Sequence, residues 1–210
     1  MKKRPRGRGV NSETGQIDHR GKTMGMWFFL FTEILFFGGM FLLYAIYRSK
    51  YNPDFHAGAA EESLLWGTIN TVILLTSSYT IALAIAAIKR GERLRSSRLQ
   101  IATILMGAAF LVIKAGEWNA KIALGLYPDS PALLKLAKGE ILFFGLYYVM
   151  TGLHGLHVLI GCIVIAFMLR FTLGETINRG NYARLENTGL YWHFVDIVWI
   201  YLYPLFYLIT

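Results

Sequence analysis

The chain alternates long apolar blocks with short polar links. Five blocks stand out, covering residues 24–47, 64–88, 99–124, 141–171 and 188–209. Each meets the requirement of ~20 mostly apolar residues to cross the ~30 Å hydrocarbon layer as a helix. The runs are continuously apolar and lack a period of two, which excludes the alternating strands of a membrane barrel. The fourth block is longer than a span needs, so it is expected to tilt or to project beyond the bilayer. The pattern therefore predicts an all-α, polytopic membrane protein. It has a five-transmembrane-helix bundle over residues 24–210, preceded by a polar tail at 1–23. The link at 125–140 carries Pro128, Asp129, Ser130 and Pro131 and reads as a turn followed by a short polar segment. No internal repeat and no soluble domain are discernible.

Composition supports this class. Hydrophobic residues make up 55% of the 210 positions and charged residues only 16%, against ~25% charged in a soluble domain. The net charge of +8 raises the question of nucleic acid, but the placement of the charges answers it. Seven Lys/Arg fall in the first 23 residues, five between Lys89 and Arg98, and three at Arg170, Arg179 and Arg184. In a five-span topology these fifteen lie on one side. The other side holds five: Arg48, Lys50, Lys121, Lys135 and Lys138. That bias is the positive-inside signature and places the N-terminus in the cytoplasm and the C-terminus outside. The excess charge also suits anionic lipid heads. The first 23 residues do not read as a secretory signal, because the apolar stretch after them is too long and lacks a small-residue cleavage site. Their Arg, Gly, Asn and Ser content reads as a mobile basic tail. The single cysteine, Cys162, excludes an intrachain disulfide framework and reads as a small buried apolar residue.

Ionisable groups inside spans are costly and need a partner or a purpose. Glu33 lies about nine residues, or ~14 Å, into the first span; it is either a proton-active carboxylate or a neutral hydrogen-bonded acid. Lys114 and Glu117 are three apart on one helical face beside Trp118, which suits an ion pair or a lipid head group. His154, His157 and Gly161 form one stripe of the fourth span. Two histidines at that spacing admit a metal, a haem, or hydrogen bonds to a buried acid or lipid. In the fifth span His193 and Asp196 are spaced to pair. Trp192, Asp196, Trp199 and Tyr203 would set a carboxylate between two indole N–H donors. The hydroxyl-rich second span (Thr68, Asn70, Thr71, Thr76, Ser77, Ser78, Thr80) reads as helix–helix contact surface. No nucleophile set and no phosphate loop emerge.

These residues carry a family resemblance. The run Tyr191-Trp192-His193-Phe194-Val195-Asp196, with Val198-Trp199, resembles the closing helix of cytochrome c oxidase subunit III. Thr151-Gly152-Leu153-His154-Gly155-Leu156-His157-Val158, with Ile160-Gly161, is similar to its penultimate helix. Thr32-Glu33-Ile34-Leu35-Phe36-Phe37 resembles its buried-glutamate segment. Ala115-Gly116-Glu117-Trp118 and Asn70-Thr71 match two further helices. The motifs occur in family order across about residues 24–209. They match the last five of the seven helices of mitochondrial-type members, as in short bacterial forms. Lys114 departs from the pattern, which has a neutral glutamine there.

The resemblance implies an accessory, non-redox subunit of a bacterial haem–copper terminal oxidase in the cytoplasmic membrane, supporting proton uptake, lipid binding and the stability of the catalytic subunit that reduces oxygen. This chain would hold no haem and no metal; haems and copper would sit in partner subunits. Oxidase subunit I is its expected main packing partner, with subunit II in the same assembly. Bound phospholipid is implied, and nucleic acid is not. Glu33 matches the proton-related buried carboxylate. Glu117, His154, His157 and Lys114 fall at polar positions linked with lipid or interhelical bonding. Trp192, His193, Asp196 and Trp199 form the structural signature of the closing helix. Cytochrome c is the expected electron donor to the complex. The equivalent subunit of a quinol oxidase or nitric-oxide-reductase complex stays open, as does a haem b membrane anchor using pairs among His154, His157 and His193. A transporter ranks last, for want of a repeat or a mid-span proline.

Overall fold

The computed structural model describes residues 10–209; the tail expected at the start of the chain lies outside these in its first nine positions. Six α-helices are formed among the described residues: α1 (Val10–Lys50), α2 (Asn52–Ala60), α3 (Leu64–Lys89), α4 (Arg93–Ala123), α5 (Lys138–Leu173) and α6 (Ala183–Tyr207). A single 3-10 turn, Leu133–Lys135, lies between α4 and α5. The chain is thus all-helical, as expected, but α1 starts at Val10 rather than at the apolar boundary near Met24. The short α2 was not anticipated.

Among the described residues, four stretches are long and apolar enough to cross a membrane: Met24–Lys50 of α1, Leu64–Lys89, Arg93–Ala123 and Lys138–Leu173. The fifth expected span, α6, is 25 residues long but falls short of that apolarity. The reason lies in its position. α6 packs against α1, α3 and α5, and Trp192, Val195, Val198, Trp199, Leu202, Phe206 and Tyr207 on it are all buried. A helix sheathed by protein on most faces does not have to be lipid-like, so its polar residues find partners in its neighbours.

The outer faces of the bundle are the reverse of a soluble protein's. Trp27, Phe28, Phe31, Leu35, Leu65, Val72, Leu105, Val112 and Phe167 are all exposed, an apolar coat that suits lipid or partner helices. Close approach inside the bundle depends on missing side chains. A Cβ on Gly161 would sit 2.8 Å from the Trp192 ring, and one on Gly107 equally 2.8 Å from it. One indole is therefore clamped between flat spots on α4 and α5. The connection from α3 to α4 turns on Gly91, at φ 83°, where a left-handed residue ends the helix.

The helices define two ends. At one, α2 caps the bundle, and Asp54 on it accepts a 3.0 Å hydrogen bond from the Gly139 backbone N–H at the start of α5. That satisfies one of the orphan donors of a helix N-terminus. At the other, Lys89 pairs with Glu186 at 2.6 Å and Arg93 with Glu175, tying the start of α6 and the end of α5 to the α3–α4 turn.

Candidate functional site

Polar chemistry in the bundle collects in three places. The first joins α1 to α5. His157 directs Nδ1 at the backbone oxygen of Leu153, 2.7 Å away, and Nε2 at Glu33 Oε2, 3.1 Å away. A carbonyl only accepts, so Nδ1 carries a hydrogen. Nε2 then meets the carboxyl in one of two ways: a neutral imidazole accepting from protonated Glu33, or an imidazolium donating to the carboxylate. Either way the pair holds one proton between two side chains, which are 14% and 19% exposed respectively. Phe37 packs edge-on against the imidazole at 5.3 Å, and the Tyr191 hydroxyl donates to the His157 carbonyl at 3.1 Å.

The second place is built around Lys114. Its ammonium donates to Glu117 Oε2 at 3.2 Å, to the Tyr147 hydroxyl at 2.9 Å and to the Tyr207 hydroxyl, which uses all three of its hydrogens. Both hydroxyls in turn donate to Glu117 Oε1, from 3.0 Å and 2.7 Å. The Tyr147, Tyr207 and Trp199 rings surround the cation with centroids 4.5, 5.1 and 5.5 Å from Nζ, adding cation–π attraction. The expected Lys114–Glu117 pair is formed, inside a network that α4 shares with α5 and α6.

The third lies along α6, and here the arrangement differs from expectation. His193 does not pair with Asp196; its Nδ1 meets the Ser78 hydroxyl. The indoles do not enclose Asp196 either. Trp192 donates to Ser77 Oγ at 2.9 Å and Trp199 to Thr71 Oγ1 at 3.0 Å. Residues three and four apart on α6 share a face, but that face meets the hydroxyl ladder of α3, which supplies acceptors where the indoles point. Asp196 is buried beside Ser78. The reading of the second span as helix–helix contact surface thus acquires named bonds.

The four residues grouped as one polar cluster, Lys114, Glu117, His154 and His157, separate. Three residues along a helix leave side chains about 60° apart around its axis. His157 accordingly turns to α1, while His154 turns inward, fully buried between Phe110 at 5.5 Å and Trp199 at 5.1 Å. Its two ring nitrogens have no hydrogen-bond partner among the described residues. Among the described residues no group of three or more His, Cys, Asp and Glu gathers as a metal site. Of the three histidines considered as haem ligands, His157 spends both nitrogens on Leu153 and Glu33, His193 directs Nδ1 at Ser78, and His154 is walled by rings.

Several participants were missed by sequence reasoning: Tyr147 and Tyr207 around Lys114, Asp54 at the α5 terminus, and Glu62 with Lys121. A lysine inside a span must find several acceptors, and tyrosines at matching depth on other helices were the available signal.

Residues 9–210 match the family described as cytochrome c oxidase subunit III. The chain is 33% identical over 194 residues to cytochrome c oxidase subunit 3 of Thermostichus vulcanus, covering 90% of this chain and 88% of that protein. It is 29% identical to cytochrome bo(3) ubiquinol oxidase subunit 3 of Pseudomonas aeruginosa, over 91% of this chain and 87% of the relative. It is also 30% identical to the heme-copper oxidase subunit I+III of Aeropyrum pernix, over 88% of this chain and 22% of that longer protein.

Proposed function

This chain belongs to the cytochrome c oxidase subunit III family and is an accessory subunit of a haem–copper oxidase; from that premise we propose what it does in the assembly. It packs beside the catalytic subunit I, in a complex that includes subunit II, and keeps a proton available at the Glu33–His157 pair. The observation that carries this reading is the pair itself: a carboxyl and an imidazole from different helices, 3.1 Å apart. A subunit that supports proton uptake needs such a group. The fusion of subunits I and III in the Aeropyrum pernix relative supports subunit I as the neighbour.

α6 is the fifth membrane span, made possible by its burial among α1, α3 and α5. The chain then runs with its basic links, 89–98 and 170–184, on the cytoplasmic side of a bacterial inner membrane and with α2 and the C-terminus outside. Phospholipids cover the apolar coat that subunit I leaves free. Haems and copper reside in the partner subunits, and this chain performs no bond chemistry. Cytochrome c is the proposed electron donor to the complex. The likeness to a ubiquinol oxidase subunit favours quinol as the second reading, and a copper-binding subunit II in the purified complex decides between them.

Glu33→Gln tests the proton role. It keeps the shape and an oxygen facing His157 but removes the exchangeable proton. The expected result is a normally assembled complex whose turnover declines faster, or whose proton stoichiometry falls. Loss of assembly would make Glu33 a structural acid and refute the role.

A further inference from the structure

Two buried carboxylates meet at the α2 end of the bundle. Glu62, in the turn between α2 and α3, has a fully buried side chain, and Lys121 Nζ lies 3.3 Å from its Oε1. Lys121 is itself 7% exposed, and its ammonium also donates to the Glu61 backbone oxygen. The Glu62 carboxyl lies against that of Glu117. Glu117 already takes hydrogen bonds from Lys114, Tyr147 and Tyr207. Neither oxygen of Glu62 accepts a hydrogen bond from the described residues. The groups facing Glu62 are therefore Lys114, Glu117 and Lys121 from α4, Tyr147 and Tyr148 from α5, and Tyr207 from α6, with Glu61 next to it in the chain.

This arrangement is incomplete with both acids ionised. Two carboxylates in contact repel, and Glu62 is left buried beside the Lys121 ammonium but with no hydrogen bond to either oxygen among the described residues, which is costly. One proton between them turns the repulsion into a hydrogen bond and gives Glu62 its missing partner, as in carboxyl pairs that share a site. With that proton the two acids carry one negative charge against two ammoniums: Lys114 is saturated by Glu117 and the tyrosines, and Lys121, at 3.3 Å from Glu62, shares its charge with the Glu61 backbone oxygen. Access exists as well. A cleft of about 520 Å³ lined by Glu61, Ser63, Trp66, Glu117 and Lys121 reaches the site from the bundle surface.

We propose that Glu62 and Glu117 share one exchangeable proton, making this ring of carboxyls, ammoniums and phenols a proton-binding site served by that cleft. The step is plain protonation: a carboxylate oxygen takes a proton from water and returns it, and no other bond forms or breaks. Burial pushes the Glu62 carboxyl up to about 7, against the opposing pull of Lys121, so the site exchanges near neutral pH. It is separate from the Glu33–His157 pair and does not rest on the role given to that pair.

The test is infrared titration of the purified complex. The expected result is a carboxylic-acid carbonyl band that bleaches with a midpoint about 7. It should be absent in Glu62→Gln and retained in Glu61→Gln. Lys121→Met removes the opposing cation and should raise the midpoint by about 1–3 pH units. Tyr207→Phe removes a donor from Glu117 and should raise it too, so the proposal stays testable if Glu62→Gln fails to assemble. A band unaltered in Glu62→Gln, or the absence of any acid band titrating near neutrality in the wild type, would overturn it. So would a midpoint indifferent to both Lys121→Met and Tyr207→Phe.

Discussion

Lys114→Met is the sharpest probe of how this bundle holds charge in a membrane. The lysine and Glu117 side chains are 5% and 4% exposed. Methionine has nearly the volume of lysine, so the packing loss is small. What the substitution removes is the cation compensating Glu117, and with it three donated hydrogen bonds. Breaking a buried pair from one side costs ~3–5 kcal/mol, because the other charge is left uncompensated. At about 1.4 kcal/mol per factor of ten, the folded population should fall by about two to three and a half powers of ten. The companion change Lys114→Met/Glu117→Gln removes both charges of the pair, and the amide oxygen still accepts from Tyr147 and Tyr207. The double variant should recover most of the loss, giving an interaction term of about 2–3 kcal/mol in a double-mutant cycle. Denaturation of the subunit in mixed micelles, followed by tryptophan fluorescence, supplies the four stabilities. A single variant within about 0.5 kcal/mol of wild type, or a double variant as poor as the sum of its parts, would refute the argument.

Other parts of the structure make their own claims. Gly161→Val puts atoms where the Trp192 ring stands, 2.8 Å from the added Cβ, and should cost about 1–3 kcal/mol by overpacking in the same denaturation assay. Asp54→Ala strips the acceptor from the Gly139 N–H and should lower stability by about 0.5–2 kcal/mol, with faster amide exchange confined to the first turn of α5. Because burial raises the Glu62 carboxyl to about 7, the stability it contributes is fully present below its ordinary acid range and is lost as pH rises through about 7. Thermal scans from about pH 5 to about pH 9 should show wild type declining relative to Glu62→Gln.

Much of the architecture was legible because lipid demands unbroken apolar length. The blocks at 64–88 and 141–171 anticipate α3 and α5 to within a few residues. α2 was not legible: nine residues of modest apolarity at the bundle end carry no membrane signal. α6 was also expected, from the block at 188–209, but it is less apolar than the other four spans, because a helix shielded by protein does not need a lipid-like surface. The site divides along the same line. Lys114 and Glu117 were legible because their spacing alone brings them together. The Glu33–His157 bond spans 124 positions, and it depends on how α1 and α5 rotate against each other. Hydropathy carries no information on that rotation. The same limit misled the reading of α6, whose indoles bond to α3 rather than to their own Asp196. It also hid Tyr147 and Tyr207, which meet Lys114 only after three helices have docked.

The proposed role requires this chain to be a redox-silent partner of a catalytic subunit. Tagging it, extracting it gently from its native membrane and recording a reduced-minus-oxidised spectrum with the co-purifying proteins identified is the direct test. A large subunit with haem–copper oxidase bands should accompany it, and the chain separated from that subunit should show no absorption of its own. A chain that emerges alone with a b-type spectrum, its histidines serving as haem ligands, would contradict the account.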